Sequence, residues 1–470
     1  MSPMKTYDAI VIGAGPGGYP CGIRLGQLKV KTLVIEKESP GGVCLNWGCV
    51  PSKALINAAN TFHKVQHGGM GLKVQGLSMD ANELQDWKEG IVKKLTGGVK
   101  SLLKMNGADL VMGTAKLTSA NTVEVVGADG TREEYKAEKA IVIATGSHTI
   151  ELPTFKFDGK QIIGAREAVS LREIPKRMVV IGGGIIGLEL GMVYQKLGSE
   201  LTVLEFLPSI LNGVDPDCVK VVERKITKLK GTIHVGAKAL GYEKQSDGSL
   251  AVAYEKDGKR ETVVTDMVLV AVGMRPTAKE IGLDKVGVKI NERGFVPIDK
   301  YGRTNVPNIY AVGDVSGPPL LAHKATKEGE IVAEVIAGQK AAMDWATIPG
   351  AIFTDPEIAT AGLTEAEAKA KGHEISVGKF PFAALAKAMA LNETDGFVKI
   401  VADKKTKQIL GVHIVGPEAS TMISEAALSL EMAAFLEDVA LTIHPHPTLG
   451  EAYMEAAAHA MGHAIHIANR

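Results

Sequence analysis

One glycine pattern occurs twice in this 470-residue chain, and it restricts the backbone more than anything else in the sequence. Tyr7-Asp-Ala-Ile-Val-Ile12 is a short, almost wholly apolar run, the texture of a buried parallel strand, and it ends in Gly13-Ala-Gly15-Pro-Gly-Gly18. In such a GxGxxG turn the first glycine permits the turn, the second lets a pyrophosphate approach the backbone, and the third lets helix pack on strand. Lys31-Thr-Leu-Val-Ile-Glu36 reads as a second strand ending in a carboxylate, where a ribose hydroxyl would lie. Arg177-Met-Val-Val-Ile-Gly182-Gly-Gly184-Ile-Ile-Gly187 begins the scheme again, and Leu201-Thr-Val-Leu-Glu205 supplies the matching strand and acid. First glycine to acid is 23 residues in both copies, Gly13 to Glu36 and Gly182 to Glu205. An in-register duplication implies two dinucleotides; a doubly wound unit that binds nothing is the plain alternative for each copy. Phe206, Leu207 and Pro208 follow Glu205, and no Arg or Lys precedes Lys220 to meet a 2′-phosphate. The second dinucleotide is therefore expected to be NAD and not NADP.

Ala140-Ile-Val-Ile-Ala-Thr145-Gly146 and Met267-Val-Leu-Val-Ala-Val-Gly273 read as buried strands ending in small residues, and each closes one unit. Asn308-Ile-Tyr-Ala-Val-Gly313-Asp314 is a further strand, whose terminal carboxylate can accept hydrogen bonds from a ribose or polyol. Beyond about residue 347 the texture changes to helices and strands without a glycine loop, for example Gly396–Val401 and Gln408–Val415. The expected class is α/β, with two Rossmann-like domains and a C-terminal α+β domain. The expected divisions are 1–148, 149–274, 275–346 and 347–470. Pro20 is an oddity, because it could remove a hydrogen bond from the first turns of its helix.

Lys plus Arg and Asp plus Glu both number 53, so no net field recruits nucleic acid or an anionic membrane, and neither is expected as a partner. No apolar run approaches the roughly 18 residues that span a bilayer, and Met1–Thr6 has no signal-peptide core, so a cytoplasmic location is expected. Only four cysteines occur, and two of them sit in Gly-Gly-Val-Cys44-Leu-Asn-Trp-Gly-Cys49-Val-Pro-Ser-Lys53. In a reducing compartment so close a pair reads as catalytic, with two inert packing cysteines as the alternative. In a regular helix this spacing gives roughly 7.5 Å of rise, beyond the about 6.8 Å a disulfide tolerates between Cα atoms. A bridge would distort the turn, and Gly48 can supply the angles. A helix starting near Cys49 favours thiolate by only about 0.3–1 kcal/mol, so another base or a cation must help. Cys21 and Cys218 read as packing residues.

His444-Pro-His446-Pro-Thr-Leu-Gly-Glu451 offers that base. Prolines on both sides limit the backbone at His446, and a carboxylate five residues on can fix the tautomer of the ring. Alone, a His near a Glu is more often an ordinary hydrogen-bonded pair. His459, His463 and His466 fall at i, i+4 and i+7, one face of an expected final helix. That spacing could ligate a metal, but nothing else of a metal motif accompanies it, and no metal is expected.

Taken together, the cysteine stretch, both glycine loops, Tyr-Ala-Val-Gly313-Asp314-Val, Ala322-His323-Lys-Ala and His446-Pro-Thr-Leu-Gly-Glu451 resemble the dimeric flavoprotein pyridine nucleotide-disulfide oxidoreductases. The likeness runs from Tyr7 to the last helix and is strongest to the branch that oxidises dihydrolipoamide. It implies that Gly13, Gly15, Gly18, Glu36, Lys53, Thr145, Gly146, Asp314, Ala322 and His323 bind FAD, and that 275–346 completes that site. Gly182, Gly184, Gly187, Glu205 and Gly273 would bind NAD. Cys44 would exchange with substrate, Cys49 would face the flavin, and Lys53 would pair with Glu189. The C-terminal domain would form a homodimer, with His446 and Glu451 serving the other subunit's disulfide. The lipoyl group would arrive on a partner, a lipoyl domain of a 2-oxo acid dehydrogenase complex or the carrier protein of glycine cleavage. Glutathione-reductase-like and mercuric-reductase-like enzymes are the rivals within the fold, and a non-catalytic subunit is the rival outside it. Pro20, Cys21, Thr326 and Pro445 depart from the usual residues at their positions, so local adjustments are expected there.

Overall fold

The strand Lys5–Ile12 lies at the centre of a seven-stranded sheet, between the parallel strands Thr32–Glu36 and Arg132–Ile143, and Ile10 is in register with Leu33 and Ile141. These facts come from a computed structural model that describes residues 4–469. Ala108–Met112 extends the sheet on one side, and Thr114–Ser119 and Thr122–Val126 continue it antiparallel on the other. Ile309–Ala311 returns from far along the chain to pair with Arg132–Ile143. Residues 275–346 thus contribute a strand to the first unit, and Leu283, Val296, Ile309 and Val315 share a core with Tyr7, Ile10 and Leu33.

The second unit repeats the design as a five-stranded parallel sheet, with Arg177–Ile181 between Glu200–Leu204 and Met267–Val270. Its central strands are buried on both faces, which is why they are rich in Val, Leu and Ile. A short antiparallel pair, Ser147–Thr149 with Met274–Pro276, joins the two units where each closing strand ends. The C-terminal domain is a five-stranded antiparallel sheet, Gly350–Ile352, Glu357–Gly362, Ile409–Gly416, Phe397–Asp403 and Ile375–Pro381, covered by Ala419–Glu431 and Glu451–Ala460. A buried cation ties it to the second unit: Lys399 Nζ meets Asp215 at 2.9 Å, Asp217 at 2.8 Å and Glu365 at 3.0 Å. The hydrogen bond from Lys399 pulls the Asp217 carboxyl down to about 2.

Pro20 takes the third position of the helix Gly18–Gln27, where the missing amide is one of the unpaired donors of any helix start, so no bond within the helix is lost. The carbonyl that amide would have faced belongs to Pro16, inside the glycine loop. The hydroxyl of Thr326, from the helix Ala322–Ile336, donates to it at 3.0 Å. Two of the departures noted in the sequence are therefore coupled: a side chain supplies the donor that proline removed. Thr326→Val should cost about 1 kcal/mol in urea or thermal unfolding of the native chain, the ordinary net worth of a hydrogen bond. In a Pro20→Ala background, whose backbone amide can reach Pro16, the same substitution should cost clearly less. Equal costs in the two backgrounds would show that the residues are independent.

Candidate active site

The two glycine loops have the same geometry. Gly13 and Gly182 have φ of +104° and +105°, and a Cβ on either would collide with a carbonyl oxygen, that of Ala144 or Ala271. Gly18 and Gly187 lie against the carbonyls of Gly13 and Gly182 in the same way. The middle glycines are different, because they face open space. Nothing lies within 4 Å of a Cβ on Gly184, and only Gly42 Cα, at 3.8 Å, approaches one on Gly15.

Each acid ties its loop. Glu36 accepts from the amides of Ala14 and Glu38, both at 2.8 Å, and Glu205 accepts from Gly183 at 2.6 Å and Leu207 at 2.7 Å. A carboxylate has about four acceptor positions, so lone pairs remain for a ribose. Open space over the middle glycine beside a carboxyl group fits a dinucleotide in both units. Phe206 and Leu207 are exposed beyond Glu205, and the sequence has no Arg or Lys from there to Lys220.

Between the loops, Gly146 and Gly273 turn with φ of +69° and +122°, and the Thr145 hydroxyl donates to the Thr277 carbonyl. Asp314 follows the returning strand and accepts from the Ser147 hydroxyl; burial pushes its carboxyl up. Ala322 opens the adjoining helix, and His323 Nε2 donates to the Pro349 carbonyl at 2.7 Å. Beneath Asp314 lies a pair that the sequence reading missed. Lys324 and Glu328 are almost fully buried and 3.1 Å apart, and Glu328 accepts from the Gly313 amide at 2.7 Å. Their i, i+4 spacing was the available signal.

The cysteine stretch folds as a short helix, Gly42–Asn46, a break at Trp47 and Gly48, and a new helix, Cys49–Gln66. The break brings the Cα atoms of Cys44 and Cys49 to 4.6 Å, and a disulfide joins them. Gly48 is needed there, since a Cβ would lie 3.1 Å from the Val43 carbonyl oxygen and 3.3 Å from Cys44 Cα. The stretch docks on the first glycine loop: the Gly41 amide donates to the Ala14 carbonyl at 2.7 Å, and a Cβ on Gly42 would come 2.7 Å from Gly15 Cα. Asn46 holds the turn by donating to the carbonyls of Pro40 and Gly42. One helical turn past Cys49, Lys53 Nζ lies 2.7 Å from Glu189 on the helix Ile185–Lys196 of the second unit. The Glu189 side chain is 5% exposed, and its other oxygen accepts from the Phe353 amide at 2.8 Å. The Phe353 ring lies 4.4 Å from the Lys53 ammonium, a contact no sequence pattern signalled. Cys21 and Cys218 are buried free thiols, and burial raises Cys21 to about 12, so neither is a nucleophile.

His446 stands apart from this cluster. Its Nδ1 lies 2.8 Å from Glu451, whose second oxygen accepts from the Thr448 amide at 2.8 Å. In the neutral ring Nδ1 is thereby the nitrogen that carries hydrogen, and the lone pair lies on Nε2. The ring is 72% exposed, beside Leu441 at 81% and Ile443 at 94%. Such an apolar rim calls for a covering surface. The triple-histidine face expected on the last helix does not form. That helix ends at Ala460, Gly462 turns the chain with φ of +82°, and the amides of Gly462 and His463 close on the carbonyls of His459 and Ala458. His459 accepts from the Lys379 amide, while His466 bonds Glu455 at 2.6 Å. Among the described residues, no helix is long and apolar enough to cross a membrane.

A family model for pyridine nucleotide-disulphide oxidoreductases matches residues 7–329, and one for the dimerisation domain of that family matches residues 348–457. Dihydrolipoyl dehydrogenase of Geobacillus stearothermophilus is 47% identical over 98% of this chain and 97% of its own. That of Bacillus subtilis strain 168 is 48% identical over 99% of this chain and 98% of its own. Among solved structures, LpdA from Mycobacterium tuberculosis has a TM-score of 0.88 at 25% identity, covering 96% of this chain and 98% of that one. The HOCl-induced flavoprotein disulfide reductase RclA from Escherichia coli has the same fold, with a TM-score of 0.85 at 24% identity over 96% and 99% of the two chains. The exposed apolar rim lies within and beside the matched dimerisation domain, and the protein is a homodimer. Duplicated loops, a bridge docked on the first of them and a dimerisation domain make one consistent set: the chain belongs to the pyridine nucleotide-disulphide oxidoreductases.

Proposed function

We propose that this chain oxidises dihydrolipoyl groups to lipoyl groups, with NAD⁺ as acceptor, through FAD and the Cys44–Cys49 bridge. The observation that carries the reading is the bridge at a helix start, docked on the first glycine loop beside the Lys53–Glu189 pair. The near-full-length likeness to dihydrolipoyl dehydrogenases supports the substrate. The loop residues with Glu36, Asp314, Ala322 and His323 hold FAD, and those with Glu205 and Gly273 hold NAD. Bound FAD supplies a two-electron acceptor that passes the pair on to NAD⁺ as hydride.

A free thiol near pKa 8.5 is only a few per cent ionised at neutral pH, so a positioned base matters. In the dimer, His446 Nε2 takes the proton of one dihydrolipoyl thiol, and Glu451 steadies the resulting imidazolium through Nδ1–H. The thiolate attacks Cys44 Sγ, the Cys44–Cys49 bond breaks, and Cys49 leaves as thiolate at the helix start. His446 gives its first proton to solvent and then takes that of the second substrate thiol, whose thiolate attacks the substrate sulfur of the mixed disulfide, breaks its bond to Cys44 and closes the lipoyl ring. The pair of dithiol electrons now rests on the two cysteines, next to the first dinucleotide site. Lys53, paired with Glu189, sits one helical turn past Cys49. The partner is a lipoyl-bearing protein of a 2-oxo acid dehydrogenase complex or of glycine cleavage, and a cytoplasmic setting suits a bridge that must cycle.

A glutathione-reductase-like reading would need cations beyond Glu205, and a mercuric-reductase-like one would need cysteines after Cys218; the sequence has neither. The purified dimer should reduce NAD⁺ with dihydrolipoamide and show little turnover with glutathione disulfide and NADPH. Turnover with the second pair alone would replace the substrate assignment.

A further inference from the structure

His444, two residues before the base, has no part in the chemistry above, yet its surroundings fix its protonation. Its side chain is 5% exposed. Nδ1 lies 2.9 Å from the Thr442 carbonyl oxygen and Nε2 lies 2.9 Å from a Glu425 carboxylate oxygen. A carbonyl can only accept, and so can a carboxylate. Both ring nitrogens must therefore donate, which a neutral imidazole cannot do. The ring edge also packs against Gly450, 3.5 Å from where a Cβ would lie, at the head of the helix that begins with Glu451.

We propose that His444 is a positioning residue for the base: an imidazolium clamped between Thr442 and Glu425, packed on the Gly450 turn that leads into Glu451, and keeping His446 ready to accept a proton. The inference rests on the reading of His446 as the base. Glu425, from the helix Ala419–Glu431, and Glu451, from the helix Glu451–Ala460, both hold His444 above its ordinary range. The Tyr453 hydroxyl beside Glu425 is neutral, because burial raises it to about 12. Glu451 in turn is hydrogen-bonded to His446 and feels His466, which bonds Glu455. Glu451 thus bonds one imidazole, His446, and lies within electrostatic reach of two more, His444 and His466. A fixed cation on one side weakens its pull on the proton of His446, so the ring of His446 stays neutral further into the acid range. The same clamp sets the path of the chain through Pro445, which has no amide of its own to anchor it, and the Pro445 carbonyl accepts from the Thr448 hydroxyl at 2.7 Å.

The sign of the effect is fixed. With the cation removed, His446 keeps its proton to higher pH, and the acid limb of the pH profile for dihydrolipoamide turnover moves up. His444→Gln should move that limb by about half to one pH unit, a several-fold loss at pH 6.5 that mostly recovers by pH 8.5. Glu425→Gln, on the more exposed side of the pair, should move it in the same direction by less. A purely structural role would lower turnover by the same factor at every pH. An unmoved or downward-moving limb in His444→Gln overturns the proposal. Nitrogen-15 spectra of histidine-labelled native dimer give a second reading that needs no variant: His444 should show two protonated nitrogens at pH 7.5, and one bare nitrogen would sink the idea. If His446→Gln keeps native turnover, the base assignment itself fails. If that variant is crippled while the His444→Gln limb stays put, only this inference fails.

Discussion

The His446→Gln dimer is expected to retain FAD and to be reduced by NADH like the native protein, while its turnover of dihydrolipoamide falls about 100-fold or more. Glutamine keeps the size and a hydrogen bond to Glu451 but has no nitrogen that accepts a proton. The dithiol must then ionise unaided, at a few per cent thiolate near neutral pH. The loss should shrink at alkaline pH, where substrate thiolate forms without help. The half-reaction with NADH should be spared, because it calls on the second glycine loop, Glu205 and the Lys53–Glu189 pair, none of which touches the exposed ring. Stopped-flow reduction by NADH beside steady-state dithiol oxidation separates the two halves. Equal loss in both would mean that the substitution disturbed the dimer and not the base, and no loss in either would remove His446 from the reaction.

How far the site could be read from the chain follows from the range of each interaction. The glycine loops are local: a turn with positive φ, a close strand-to-helix approach and an acid at a strand end all fall within 23 residues, so composition and spacing sufficed for both copies. The cysteine bridge is local too, and the helix break at Trp47 and Gly48 resolves the spacing problem that the sequence posed. Partnerships between distant side chains carry no periodic signal. Thr326 and Pro16 are 310 residues apart, Ser147 and Asp314 are 167 apart, and Lys399 and Asp215 are 184 apart. Each pair is set by how sheets and helices stack, which one chain read alone does not specify. The histidine face failed for a local reason that was available: Gly462 is a glycine just past a helix end, the common left-handed stop, and the spacing argument carried the helix through it. Pro20 shows the converse. A residue that breaks a local rule was tolerated because its position removed an amide no helix bond needed, and a distant hydroxyl filled the gap.

Cys44→Ser should have the largest effect of any single substitution. A serine hydroxyl cannot form or exchange a disulfide, so the relay from substrate to the first dinucleotide site is cut at its entry, and dithiol oxidation falls to background. The fold should survive. Cys44 lies on a short helix with no buried residue, and Asn46, Gly41 and Gly42 hold that stretch on the glycine loop without help from sulfur. FAD content and NADH-driven reduction of a one-electron dye such as ferricyanide should therefore persist. The direct test measures, on FAD-loaded native and Cys44→Ser dimers, NADH formed from dihydrolipoamide and NAD⁺ beside ferricyanide reduced by NADH. The predicted result is that the variant loses the first activity and keeps the second; a Cys44→Ser dimer that still makes NADH from dihydrolipoamide at a substantial fraction of the native rate would contradict the account.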